Sequence, residues 1–273
     1  MEIQVLGPLC AAVNGGSIVP TAGKPRQVLS LLALYPRRVM PISTLMEEIW
    51  GTEPPPSAMT TLQTYIMQLR RGLGTAMGPD APGAAKDVLA TRHGGYLLQI
   101  PPESVDVHAY ERLAGEGQDA FEQGDDERAA RSFRQALALW QGPVLVDVRL
   151  GPVLEIEVMR LEESKLVTTE RRIDADLRLG RHAELLAELA DLIARHPQHE
   201  GLHAQAMLAL YRSGRQASAL DVYRKLRGRL VEELGVEPSP QLQRMHQALL
   251  AVDPDLDIIA GPRRGSTFDR YAA

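Results

Sequence analysis

Apolar positions recur along this chain in two rhythms. Short strand-like runs mix with helical stripes over the first hundred residues, and helical stripes alone fill the remainder. Ile3, Val5 and Leu6 open a strand in MEIQVLGPL, Asn14-Gly15-Gly16 signals a hairpin turn, and SIVP is the return strand. From about Lys24, Val28, Leu31, Leu32 and Tyr35 recur at helical spacing, with Pro25 in the first turn and Pro36 as the stop. A second helix runs from about Ser43 to Trp50, with Leu45, Ile49 and Trp50 inward and Gly51 ending it. GTEPPPS is then a stiff turn, and Ser57 is placed to cap a third helix reaching about Gly74. Two strands follow, Val88–Thr91 and Tyr96–Ile100, joined by Arg92-His93-Gly94-Gly95.

The third helix carries the most information. Leu62, Ile66, Leu69 and Leu73 form one apolar stripe; at about 100° per residue the opposite face presents Thr60, Thr64, Met67, Gln68 and Arg71, flanked by Thr61, Gln63 and Arg70. Hydroxyl, amide and guanidinium groups without a carboxylate are what a helix in a DNA major groove uses to reach bases and phosphates. A solvated surface helix is the plainer reading, but such helices usually mix Glu with Lys, and this one has neither. A hairpin directly after such a helix is a wing. Arg92 at its tip, with His93 beside it, either enters a minor groove or sits in an ordinary loop. Lys24 and Arg26 either hold phosphates or form a polar helix start.

Beyond residue 100 the pattern repeats. Asp106–Gln123 is helical, and GDDERAARSFRQALALW, GRHAELLAELADLIARHP and GRQASALDVYRKLRGRL are each a Gly-led turn followed by a helix with small and aliphatic residues inside. Gly180 to Gly214 is 34 residues, the tetratricopeptide period; Gly124 to Gly180 is 56, which places an insertion around Gln141–Gly151. Such units must stack to bury their faces. The expected fold is mainly α with a small N-terminal β-sheet and wing: a winged helix-turn-helix at 1–100, an all-α tetratricopeptide-like array at 101–253, and a flexible tail at 254–273.

Net charge is −5, but residues 1–100 hold 8 Lys+Arg against 6 Asp+Glu, or +2, and no acid lies between Pro54 and Pro79. Local potential governs phosphate contact more than the whole-chain sum. The single cysteine, Cys10, excludes an intrachain disulfide and a Cys-rich zinc site and fits a reducing cytoplasm. MEIQVLGPL lacks the marks of a signal peptide, and no run of about 18 apolar residues suggests a membrane span. His199-Glu200-Gly201-Leu202-His203 matches the H-E-x-x-H zinc motif, but Pro197 sets His199 at a helix start and Gly201 weakens the first turn. Gly16 to Lys24 has the wrong spacing for a phosphate-binding loop, and Asp253, Asp255 and Asp257 lack the Gly and distal Glu of a calcium loop. No nucleophile–base set is visible. The expectation is a non-enzyme without cofactor or metal.

AGKPRQVLSLLALYP, ISTLMEEIWGTEPPPSAMTTLQTYIMQLRRGLG and VLATRHGGYLL together resemble the OmpR/PhoB-type winged helix of the Streptomyces antibiotic regulatory protein family. GDDERAARSFRQALALWQG, RLEESKLVTTERRIDADLRLGRH and ALYRSGRQASALDVYRKLRGRLVEELGVEPSPQL resemble the same family's bacterial transcriptional activation domain. The resemblance spans about Ile3 to Asp253, with neither a receiver domain ahead nor the ATPase and sensor modules of long members behind. It implies a cytoplasmic, nucleoid-associated activator of a secondary-metabolite gene cluster. It also implies binding to double-stranded DNA at direct repeats as a head-to-tail homodimer, with no membrane partner. In OmpR/PhoB-type regulators the turn before the recognition helix faces RNA polymerase. Gly51, Thr52, Glu53, Pro54 and Pro55 would therefore contact the holoenzyme, at the sigma factor, with the alpha subunit a further contact. The competing class is a helical-repeat protein-interaction scaffold without specific DNA binding.

Overall fold

The computed structural model describes residues 1–78, 83–253 and 256; the tail expectation for 254–273 falls, Leu256 aside, outside the described residues. The described residues are mostly helical with two small antiparallel sheets. It divides into two compact units. The first holds residues 1–112 with 135–165; the second holds 113–134 with the described residues from 166 onward.

In the first unit β1 (Glu2–Gln4), β2 (Cys10–Val13) and β3 (Gly16–Ser17) pair in sequence order, with Ile3 opposite Ala11 and Ala12 opposite Ser17. Asn14 and Gly15 turn the hairpin with φ of 51° and 81°, as a two-residue turn matched to strand twist requires. Helices α1 (Gly23–Leu34), α2 (Ile42–Trp50) and α3 (Ala58–Met77) follow. Their inward positions, among them Leu31, Leu32, Leu45, Leu62 and Ile66, are fully buried. Trp50 is only half-buried, and the Lys24 ammonium lies 5.1 Å from its ring centroid. Gly51 ends α2 with φ 65° and donates its N–H to the Glu47 carbonyl at 2.7 Å.

Three features depart from the pattern reading. α3 runs about one turn past Gly74 to Met77, and Ser57 occupies the cap position without a side-chain cap bond. A short α4 (Ala84–Val88) precedes the wing. The wing itself is three-stranded, in the order β4-β6-β5, because β4 (Val39–Pro41) joins β5 (Leu89–Arg92) and β6 (Gly95–Leu98). Val39 pairs with Leu97 and Arg92 with Gly95, so the connecting turn is His93-Gly94. A Cβ on Gly95 would sit 2.2 Å from the Met40 carbonyl oxygen, so the close approach of β4 demands glycine there.

The expected insertion is real but not idle. Residues 138–151 contain no helix and belong to the first unit. Gln141 and Leu145 donate backbone N–H groups to the carbonyls of Leu6 and Val5, at 2.7 and 3.1 Å. Three carboxylates complete the attachment. Asp106, at the start of α5 (Asp106–Glu122), accepts from the N–H groups of Val5 and Leu6 at 2.9–3.0 Å. Asp147 accepts from the Leu9 N–H at 2.7 Å and pairs with Arg26. Glu48 on α2 accepts from Gly151, Val153 and Leu154 at 2.7, 3.0 and 2.9 Å, capping the N-terminus of α7 (Pro152–Arg178). Tyr110 is fully buried; its ring meets Trp140 edge-on at 5.3 Å, and its hydroxyl lies 2.9 Å from that of Ser164.

In the second unit the repeat shows as one turn used three times. Gly124, Gly180 and Gly214 all have left-handed φ, of 79°, 78° and 73°. Each donates to the carbonyl three residues back, of Phe121, Leu177 and Tyr211. The residue after each glycine, Asp125, Arg181 or Arg215, donates to the carbonyl five back, of Ala120, Asp176 or Leu210. That is the Schellman ending, which only glycine adopts freely. α6 (Asp126–Leu137), α8 (Leu186–Arg195) and α10 (Gln216–Arg229) lie beyond these turns, with α9 (Glu200–Arg212) and α11 (Pro240–Ala251) adding to the array. Ile173, Leu177, Leu189, Leu208, Leu226 and Leu242 lie in its largest core. Asp176, almost fully buried, gathers Arg134, Arg172 and Arg181 around its carboxylate.

Removing the Glu48 carboxylate would strand three backbone donors at a buried helix start. Glu48→Ala is expected to lower stability by about 2–3 kcal/mol, measured by denaturant unfolding of the full chain; a loss within about 0.5 kcal/mol, the range of unremarkable surface changes, would mean these bonds are readily replaced.

Candidate nucleic-acid interface

α3 is held by Ala58, Leu62, Ile66, Leu69 and Leu73, all buried, and so presents one fixed face outward. Thr60, Gln63, Thr64, Met67, Gln68, Arg71 and Thr75 are exposed on it, while Thr61 and Arg70 are half-buried at its edges. No acid lies on the helix. The Thr64 hydroxyl donates to the Thr60 carbonyl at 3.0 Å, which leaves its lone pairs and methyl outward. The Arg71 guanidinium has no hydrogen-bond or ionic partner among the described residues, while its neighbour Arg70 is occupied. Arg70 Nε donates to the Leu89 carbonyl and its Nη2 to the Thr91 hydroxyl, both at 2.8 Å, bracing β5 against α3.

The wing puts Arg92 and His93 at its exposed end. Arg92 reaches the Thr91 carbonyl at 3.2 Å and the Gln99 side chain at 3.4 Å, long contacts in an exposed setting. Lys24 is exposed at the start of α1. Arg26 is different: its guanidinium is tied to Asp147. Of the sequence candidates, the structure therefore brings Thr60, Thr64, Gln68 and Arg71 onto one open face, and gives Arg26 and Arg70 partners within the fold. The turn before α3 lies open too: Thr52, Glu53, Pro54 and Pro55 are exposed, and Gly51 is half-buried. Glu53 has no ion-pair partner among the described residues.

A groove of about 650 Å³ runs along this face between α3 and the segment of α4, lined by Thr64, Met67, Gln68, Arg70, Arg71 and Lys86 among others. Lys86 was not among the sequence candidates. Its helix has five residues, too few to show a helical period, although a lone Lys between the apolar stripe and the wing was a signal in plain view. The zinc reading of His199–His203 fails on geometry. His199 is the N-cap of α9, not a helical ligand. The Glu200 carboxylate is taken by the Ser239 N–H at 3.0 Å and by its hydroxyl. His203 is buried with Nδ1 against the His199 carbonyl at 3.0 Å, and burial holds its pKa below the ordinary value. Among the described residues no group of three His, Cys, Asp or Glu could hold a metal, and no helix is long and apolar enough to cross a membrane.

Residues 16–98 match the family model described as transcriptional regulatory protein, C terminal, and residues 105–250 match the bacterial transcriptional activator domain. The chain is 57% identical to regulatory protein DnrI of Streptomyces peucetius over 257 residues, 94% of each chain. The chain belongs to the Streptomyces antibiotic regulatory protein family. It is 36% identical to the transcriptional regulator RedD of Streptomyces coelicolor, across 94% of this chain and 73% of that one. A solved structure of Mycobacterium tuberculosis EmbR, in complex with a low-affinity phosphopeptide, matches with a TM-score of 0.85 and 31% identity, covering 94% of this chain and 68% of that one. Members of this family are transcriptional regulators, not enzymes, and the antibiotic regulatory module places an OmpR/PhoB-type DNA-binding domain on the residues that carry α3 and the wing.

The two adjacent arginines of this module separate by experiment. Arg71→Ala is expected to weaken binding to promoter DNA by about 1–3 kcal/mol and to relax base preference at one position of the site. Arg70→Ala should keep that base preference while amide exchange accelerates across residues 89–98. Wild-type affinity and base preference in Arg71→Ala would take Arg71 off the bases.

Proposed function

We propose that the chain is a sequence-specific activator of an antibiotic or other secondary-metabolite gene cluster, working in the cytoplasm at the nucleoid. The observation that carries this reading is the outward face of α3. It is acid-free and rigidly backed, with Arg71 unpartnered among the described residues and the wing braced beside it by Arg70. Thr60, Thr64, Gln68 and Arg71 would read bases, with Thr61 and Gln63 at the edge. Arg92, His93, Lys24 and Lys86 would supply phosphate or minor-groove contacts. Arg70 and Arg26, with partners inside the fold, would hold the reader in shape. Kinship with DnrI and RedD supports the gene-cluster assignment.

One winged helix touches too few base pairs to be specific against a genome. Two copies would therefore bind direct repeats head to tail, a heterologous contact made on the DNA. The exposed turn Gly51–Pro55, stiffened by prolines, would meet RNA polymerase holoenzyme at the sigma factor, with the alpha subunit a further contact; a stiff turn loses less entropy on docking. Glu53→Ala should then lower transcription in a reconstituted assay several-fold while DNA affinity stays at the wild-type value. Full activation by this variant would remove Glu53 from the polymerase contact.

Head-to-tail pairing sets the phase of the two sites, whose centres must lie on one face of the duplex, about one helical turn apart or a whole multiple of it. Inserting about 5 bp, half a turn, between the repeats should abolish cooperative binding and activation, and a full-turn insertion should restore part of both. Indifference to the half-turn insertion would replace the paired arrangement by independent monomers.

A further inference from the structure

The outward face of α3 is polar except at one position. Met67 is 68% exposed, among the most open of the large apolar side chains in the described residues. It stands one helical turn beyond Thr64 and one turn before Arg71, about 40° from Arg71 around the helix axis. It lines the groove with Gln68, Arg71 and Lys86. Met59, 42% exposed, lies on the same helix but well round toward the buried stripe, so it does not share this position.

A thioether makes no useful hydrogen bond to a base, so Met67 cannot read a donor or acceptor. What it can read is shape and apolar surface. The edges of base pairs in the major groove carry one apolar group, the C5 methyl of thymine. Met is unbranched and adaptable enough to reach such a group from a helix whose axis is fixed by other contacts. We propose that Met67 packs on a thymine methyl in the major groove and is a specificity-determining residue, selecting thymine at one position of each half-site. The proposal rests on the reading of α3 as the groove helix. It adds to the polar readers a contact that hydrogen bonds cannot supply. Thr64 and Arg71, one turn to either side, fix where along the site that thymine falls.

Deoxyuracil isolates the methyl, because it keeps every hydrogen-bonding group of thymine and removes only the C5 methyl. The full chain is first used to select its tightest duplex from a randomised pool. That duplex is then synthesised with deoxyuracil at each thymine in turn. Wild type should lose about fourfold in affinity at one thymine per half-site, the worth of one buried methyl group. Met67→Ala should bind more weakly to the thymine duplex and show no further loss on deoxyuracil at that position; Met67→Leu should keep the sensitivity. Thermal melting of both variants checks that this exposed site leaves the fold intact. A wild type indifferent to deoxyuracil everywhere, or a penalty that persists undiminished in Met67→Ala, overturns the proposal while leaving DNA binding standing. Failure to enrich any duplex from the pool would instead defeat the groove-helix reading, and this inference with it.

Discussion

One buried carboxylate organises the first unit. Glu48 sits in the last turn of α2, just ahead of the exposed turn that leads into α3, and receives three backbone N–H groups from the start of α7. Burial pushes its carboxyl above the ordinary carboxylate range, and the donors from Leu154, Gly151 and Val153 pull it back in part. A carboxylate at a helix N-terminus also meets the positive end of the helix dipole. Asp106 and Asp147 repeat the device on Val5–Leu9, the connection between β1 and β2. Segments far apart in sequence are thus fixed by acid side chains meeting backbone donors, with α2 tied to the start of α7.

This use of acids has a consequence outside. Glu48 is buried, and Asp147 neutralises Arg26. The charges that remain exposed on α3, α4 and the wing tip include Arg71, Lys86, Asp87 and Arg92, with Lys24 at the nearby helix start, so the cations outnumber the acid. A whole-chain charge of −5 conceals this arrangement entirely. The arginines divide the labour in the same way: Arg70 braces, Arg71 faces out, and the difference is one residue of helical rotation.

Much of this was legible in the chain itself. The hairpin turn at Asn14-Gly15, the three helices, the apolar stripe of α3 and the Gly-led repeat turns all rest on local signals: left-handed glycines and a 3.6-residue period. What escaped was either too short or non-local. β4 has three residues, ending on Pro41, and α4 has five, so neither shows a period. The Ser57 cap was chemically reasonable, but the hydroxyl makes no cap bond. The partners of Arg26 and Arg70 lie 121 and 19–21 residues away, and no local pattern announces an ion pair or hydrogen bond of that separation. The insertion at 141–151 was visible as a break in the repeat, but its hydrogen bonds to Val5 and Leu6 were not, because backbone pairing across such a distance leaves no mark on side-chain pattern. The division of the described residues, which puts 135–165 with the first hundred, follows from those bonds.

The account turns on α3 as the surface that touches DNA. Photochemical cross-linking of the full chain to promoter duplexes, followed by mass-spectrometric mapping of the adducted peptides, addresses this without a mutation. The account predicts adducts concentrated in residues 58–77, with a second set at 91–94. Adducts confined to the helical array at 200–251, with residues 58–77 unmodified in a complex that survives competitor DNA, would contradict it.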